Sequence, residues 1–184
     1  VRRRVAVIGA GAAGLVAAAH AAEVGAEVML LERTPDGGRK ILISGGGRCN
    51  VLPEQLAPER FVTDSSPVRL RALLRSWPLE AQRAFFERTL GVPLALEPDT
   101  RKYFPVSGRA REVRDALVMH ARRCGAVLQG GVVVRGVERA AQGWRVLTGD
   151  SVHDVDAVVI ATGGLSVPTT GSDGTGLHVA TALG

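Results

Sequence analysis

The chain has 184 residues and a mass of 19.3 kDa, with 46% hydrophobic and 22% charged residues, a formal charge of +5 and a pI near 10.2. That balance excludes a disordered chain and, with only Cys49 and Cys124 as cysteines, a disulfide framework; the length suits one domain or somewhat more. All basic residues except Lys40 and Lys102 are arginine; they are scattered and aromatics make up only 4%, which argues against nucleic acid as the main partner.

Arg2-Arg3-Arg4 followed by the apolar stretch Val5 to Ala19 imitates a secretory signal. The stretch is too short to span a membrane, and its internal order supports another reading. Val5-Ala6-Val7-Ile8 reads as a buried parallel strand and Gly9-Ala10-Gly11-Ala12-Ala13-Gly14 follows at once. Leu15 to Val24 reads as a helix closed by Gly25, and Glu27 to Leu31 as a second strand with Glu32 at its end. This is a βαβ unit over 5–32 with GxGxxG at the strand–helix junction. Gly9 permits the tight turn, Gly11 the approach of a pyrophosphate, and Gly14 close packing of helix on sheet. Glu32 stands about 20 residues beyond the glycines, where a carboxylate binds ribose hydroxyls. The unit by itself does not decide between NAD and FAD.

A second glycine cluster covers 37–50: Gly37-Gly38-Arg39-Lys40, then Ile41-Leu42-Ile43 and Ser44-Gly45-Gly46-Gly47-Arg48-Cys49-Asn50. Consecutive glycines expose N–H groups that form an anion-binding nest or lie against a flat ring. Lys40 and Arg48 add charge suited to phosphate or to an electron-rich flavin edge.

The Gly9–Gly14 loop, Glu32-Arg33 and above all the string from Arg39 to Asn50 resemble the BaiN-like flavoproteins, bacterial FAD-dependent oxidoreductases of the aminoacetone-oxidase type. The resemblance implies an α/β, Rossmann-like FAD-binding domain of the two-dinucleotide-binding-domain type. Its parallel sheet would carry helices and a small antiparallel meander. It implies FAD with its ADP half on Gly9, Gly11, Ala13, Gly14, Glu32 and Arg33. Lys40, Ser44, Gly46, Gly47, Arg48, Cys49 and Asn50 would lie towards the flavin and pyrophosphate.

In the middle of the chain, a helical segment spans 64–124. Asp64 or Ser65 is expected to cap a helix from Pro67 to about Ser76, and a second helix runs from Pro78 to Gly91. Trp77, Phe85 and Phe86 read as core. Glu97 to Gly108 reads as a loop or hairpin; its Arg101-x-x-Phe104-Pro105 string is similar to a second family signature. Ser107 is placed to cap a helix through about Cys124, with Ala110, Val113, Leu117, Ala121 and Cys124 as its buried stripe. His120 reads as surface or packing.

Ala126 to Leu128 is expected to return to the sheet. Val132 to Glu138, Trp144 to Thr148 and Ser151 to Val155 form a meander, and Asp156 to Ala161 a final buried strand. The strand runs into Ala161-Thr162-Gly163, which resembles the element that brings the chain back to the cofactor. Val134 sits where related FAD folds lay backbone against adenine. At Thr170 to Leu177 the sequence departs from the family order: Asp173 and Thr175 are exchanged and a tyrosine is absent, as it also is at Val167.

The first residue is Val1, and the resemblance covers only the front of the family. The expectation is therefore a truncated domain, with 165–184 beginning a connection to a missing inserted, substrate-side domain and C-terminal segment. Such a chain would retain FAD weakly and turn over little. The implied activity is hydride transfer through the flavin N5 to or from a small organic substrate, with NADH or NADPH as candidate donor, in the cytoplasm and away from membranes. A simple NAD-dependent Rossmann dehydrogenase, or a non-catalytic nucleotide- or RNA-associated module, are the alternatives. No acid, base, nucleophile or metal cluster is assignable from spacing.

Overall fold

The computed structural model describes residues 2–166 and 172–184. In chain order the elements are β1 (Arg4–Ile8), α1 (Ala12–Glu23), β2 (Glu27–Glu32), α2 (Arg39–Ile43), β3 (Leu52–Pro53), α3 (Pro67–Ser76), α4 (Leu79–Ala84), β4 (Leu94–Glu97), β5 (Lys102–Pro105), α5 (Ala110–Arg123), β6 (Val127–Gly130), β7 (Val134–Arg139), β8 (Trp144–Thr148), β9 (Val152–Val155), β10 (Ala157–Ile160) and α6 (Thr175–Ala182). They divide into two compact units, Val1–Ile41 with Leu117–Gly184, and Leu42–Ala116.

The first unit carries a parallel sheet in the order β10-β1-β2-β6. Registers such as Val7 with Leu30 and Leu30 with Leu128 place the apolar runs side by side. The α1 stripe of Gly14, Leu15, Ala18, Ala19 and Ala22 is buried, and its small residues let helix and sheet approach closely. Strands β7, β8 and β9 form the expected antiparallel meander, with a bulge between Val134 and Gly136. Val134, Val137, Val146 and Val155 share one core with Ala6, Ile8, Leu31 and Val179.

The two helices that lead back into the sheet end alike. His20-Ala21-Ala22-Glu23-Val24-Gly25-Ala26 closes α1 and His120-Ala121-Arg122-Arg123-Cys124-Gly125-Ala126 closes α5. Gly25 and Gly125 have φ of +90° and +106°. The N–H of Ala26 reaches the Ala21 carbonyl at 3.1 Å, and that of Ala126 the Ala121 carbonyl at 3.0 Å. Both are Schellman turns that satisfy the last carbonyls of the helix.

The second unit holds a small antiparallel sheet in the order β3-β5-β4; of the two readings of Glu97 to Gly108, loop or hairpin, a hairpin forms, and its first strand begins earlier, at Leu94. The cap of α3 is Ser66, whose hydroxyl accepts the Arg69 N–H at 3.3 Å, rather than Asp64 or Ser65. Pro67 fixes this, because proline favours the first helical position and leaves the cap to the residue before it. Trp77, Phe85 and Phe86 stack edge to face with centroids 5.6 and 5.7 Å apart, but Trp77 is 36% exposed and both phenylalanines are only half-buried. They form a surface cluster instead of a core.

Three further expectations change. The segment 37–50 is not all loop, since α2 forms within it. Cys124 is half-buried, while Ala110, Val113, Leu117 and Ala121 are buried as expected. Strand β10 lies at the sheet edge, and Val159 and Ile160 stay 36% and 37% exposed. Within 165–184, α6 contributes Val179 to the core of the first unit. Val167 and Thr170 lie outside the described residues. Among the described residues, no helix is long and apolar enough to cross a membrane.

Candidate functional site

The turn between β1 and α1 is built from contacts that only glycine allows. Gly9 has a φ of +100°, and a Cβ there would stand 2.7 Å from the Ala161 carbonyl oxygen. A Cβ at Gly14 would stand 1.8 Å from the Gly9 carbonyl oxygen. Gly11 differs: its backbone is extended, and a Cβ would enter open space. Gly9 and Gly14 thus shape the turn, while Gly11 leaves a cradle in front of it. No side chain caps α1, and Ala12 and Ala13 are exposed at its start. The first N–H groups and the positive end of a 12-residue helix therefore face the cradle, an arrangement suited to an anion.

Glu32 ties the end of β2 to this turn. One carboxylate oxygen accepts the Ala10 N–H at 2.7 Å; the other accepts the Thr34 N–H and hydroxyl, each at 2.8 Å. A carboxylate offers about four lone-pair sites, so capacity remains for a sugar hydroxyl. The Gly38 N–H donates to the Ala10 carbonyl at 2.8 Å, which brings the second glycine pair against the first turn.

The return segment meets the same turn. The Ala161 N–H donates to the Ile8 carbonyl at 2.8 Å, extending the β1–β10 pairing. A Cβ at Gly163 would stand 2.5 Å from the Ser172 hydroxyl, and one at Gly176 would stand 2.1 Å from that of Thr162. Ala161 and Thr162 are thus brought against Gly9, and Ala161 against Gly14, while Gly163 meets Ser172. Arg33 and Lys40 are drawn to the following segment. Arg33 pairs with Asp173 at 2.7 Å, and the Lys40 ammonium donates to Ser166 and Ser172. Arg33, together with the Thr175 hydroxyl and N–H, holds the Asp173 carboxyl well below the usual carboxylate range.

Ser44 to Asn50 belong to the second unit. Gly45, Gly46 and Gly47 are all left-handed, at φ of +56°, +68° and +87°, and Cys49 joins them at +64°. The Phe104 ring packs on Gly45, while Gly46 faces open space. Arg48 lies 4.4 Å from the centroid of the same ring and pairs with Glu97 at 2.6 Å. Cys49 is buried, which pushes its thiol up; a hydrogen bond with Ser44 works in the other direction. Burial thus favours its protonated form. Asn50 ends the turn, and Val51 passes into pairing with Tyr103.

Val134 is placed in the core, so any role of that position rests on its backbone. Sequence reasoning missed Ala10 and Thr34 as partners of Glu32, Asp173 and Ser172 as partners of Arg33 and Lys40, and Glu97 and Phe104 beneath Arg48. The only signal was the charge of Arg33, Lys40 and Arg48, which required acceptors somewhere.

A profile of the HI0933-like protein Rossmann domain matches residues 3–184. A 3-dehydro-bile acid delta(4,6)-reductase of Clostridium scindens is 32% identical over 183 residues, covering 98% of this chain and 44% of its own length. A ribosomal RNA dihydrouridine synthase of Escherichia coli is 29% identical over 178 residues, covering 97% and 44%. The chain thus spans less than half the length of these curated relatives. The crystal structure of Thermovibrio ammonificans THI4 superposes with a TM-score of 0.56 at 20% identity, over 92% of this chain and 61% of that one. That likeness shows the Rossmann-like fold.

Proposed function

We propose, since the chain belongs to the family of HI0933-like protein Rossmann domains, that it is the FAD-binding portion of a flavin-dependent oxidoreductase. The observation that carries this reading is the first glycine turn, where Gly9 and Gly14 are packed solid and Gly11 alone leaves a cradle beneath an uncapped helix. The N–H groups of Ala12, Ala13 and Gly14 would take the pyrophosphate, and Glu32 the ribose hydroxyls. Gly46, Gly47 and the charges of Lys40 and Arg48 would serve the flavin side, and Thr162 and Gly163 would bring backbone to it. Bound FAD supplies a ring that accepts and donates hydride, while the protein orients it.

The relatives' names support one class of substrate. One denotes reduction of a conjugated double bond in a bile acid, the other conversion of uridine to dihydrouridine in ribosomal RNA. For this chain's flavin site the names support the reading of hydride delivery to an electron-poor C=C, with NADH or NADPH as candidate donor. A second reading, an RNA substrate, is favoured by two relatives' names.

Titration of the purified chain with FAD, followed by anaerobic NADH or NADPH, tests the proposal. Saturable change in flavin absorption at one site supports it. Binding of NAD without FAD would instead indicate a simple dehydrogenase. Salt-dependent binding of ribosomal RNA fragments without flavin would indicate a nucleic-acid module.

A further inference from the structure

At the opposite end of α1 from the glycine turn, three side chains that the proposed function does not use come together. Glu23 is the last residue of α1, and His120 and Cys124 lie at the end of α5, one helical turn apart on the same face. The Cys124 sulfur lies 3.3 Å from Glu23 Oε1 and 3.8 Å from His120 Nε2, and His120 Nε2 lies 3.6 Å from the same Glu23 oxygen. All three donor atoms fall within 4.8 Å of one another.

We propose that Glu23, His120 and Cys124 form a site for a divalent transition metal of the zinc class, which clasps the ends of α1 and α5. The spacing supports it. Tetrahedral zinc, with Zn–S about 2.3 Å and Zn–N or Zn–O about 2.0–2.1 Å, sets the nitrogen and oxygen about 3.3–3.4 Å apart and each about 3.5–3.6 Å from the sulfur. The sulfur–imidazole and imidazole–carboxylate edges need to contract, and the sulfur–carboxylate edge to lengthen, each by a few tenths of an ångström. The donor set is one thiolate, one imidazole and one carboxylate. Calcium and magnesium, which take oxygen ligands, are excluded by two of the three. Three protein ligands leave a fourth position for water. The Glu23 side chain keeps 43% of its surface exposed, so an ion can reach the site from solvent.

Two further features suit a cation. Helix C-termini carry partial negative charge, and here two of them converge with a carboxylate between them. The other Glu23 oxygen accepts from His20 Nδ1 at 3.1 Å, which orients the ligand carboxylate from outside the coordination shell. Without an ion, the Cys124 S–H donates to Glu23. On binding, that S–H bond breaks, an S–metal bond forms and the proton passes to solvent. The site is separate from the cofactor turn by the length of α1, about 18 Å at 1.5 Å per residue. Its consequence is mechanical: α1 leads into β2 and α5 into β6, so one ion would fasten together the exits of two neighbouring crossovers.

The test is cobalt(II) added to the full chain after treatment with a chelator. The expected result is one equivalent bound with thiolate-to-cobalt charge-transfer absorption, displaced by zinc and accompanied by a rise in Tm. Cys124→Ser should abolish the charge-transfer band, and His120→Gln should weaken binding by about tenfold or more. His153→Gln should change neither. Lower pH should weaken binding, because the ligands must lose protons. Absence of the band in the wild-type chain at excess cobalt overturns the proposal, as does an unchanged band and Tm rise in Cys124→Ser. Should either core-side variant fail to fold, Glu23→Gln at the exposed ligand decides: undiminished affinity there also overturns it.

Discussion

Glu32 and Ala10 are joined by a 2.7 Å hydrogen bond from a backbone amide to a carboxylate, across 22 residues of chain. The amide belongs to a fully buried residue in the middle of the glycine turn. The side chain proposed to hold ribose therefore also holds the turn that would receive the pyrophosphate. Glu32→Ala leaves the Ala10 N–H without this partner and is expected to cost about 1–3 kcal/mol in urea unfolding. Glu32→Gln keeps an acceptor and should cost less. Glu32→Ala as stable as the parent would show that the bond does not hold the turn.

The three glycines of GxGxxG should separate into fold and ligand roles. Gly14→Ala puts a methyl 1.8 Å from a backbone oxygen, so the helix must shift, at a cost of about 1–3 kcal/mol or more. Gly11→Ala meets nothing in the protein and should leave unfolding almost unchanged while weakening FAD binding. Equal stability losses in both variants, measured by denaturation with FAD titration alongside, would refute this division.

The Arg33–Asp173 pair gives a signed pH dependence. The Asp173 carboxyl is held below the usual carboxylate range, so its contribution is complete above about pH 4, the unfolded value. It is lost only as acidity passes through the lower folded value. Asp173→Asn should therefore loosen the start of α6 at neutral pH, read by faster amide exchange at Thr175 to His178. That difference should shrink in strong acid and in high salt.

The two thiols should report on their units separately. Cys49 is 5% exposed and Cys124 half-buried, and burial raises both above the ordinary thiol range. An aromatic disulfide reagent is expected to modify Cys124 first and Cys49 only as its unit opens. Rates should climb with alkalinity, as the thiolate is the nucleophile. Fast modification of Cys49 in the folded chain at neutral pH would contradict the buried geometry.

The sequence made β1, α1 and β2 legible because their signals are local: an apolar run, a turn that needs glycine, a stripe of alanines. The Rossmann-like fold followed from the same residues, and the family above all from the string Arg39 to Asn50. Side-chain partners were not legible, since Arg33 finds its acceptor 140 residues away and Lys40 one of its acceptors 132 away. Burial of β10 was misjudged because Ala-Val-Val-Ile reads the same at the edge of a sheet as at its centre. Helix α2 escaped notice because five residues with two isoleucines have little helical preference of their own. The Glu23, His120 and Cys124 cluster spans 101 residues and needs two helix ends to meet.

Those matched helix ends give the chain a built-in duplicate. Gly25 and Gly125 occupy the same left-handed position, and a Cβ at either one meets open space. Alanine at each should therefore cost the same backbone strain, about 1–2 kcal/mol. Any inequality between the two would measure their surroundings alone, so one half of the fold calibrates the other.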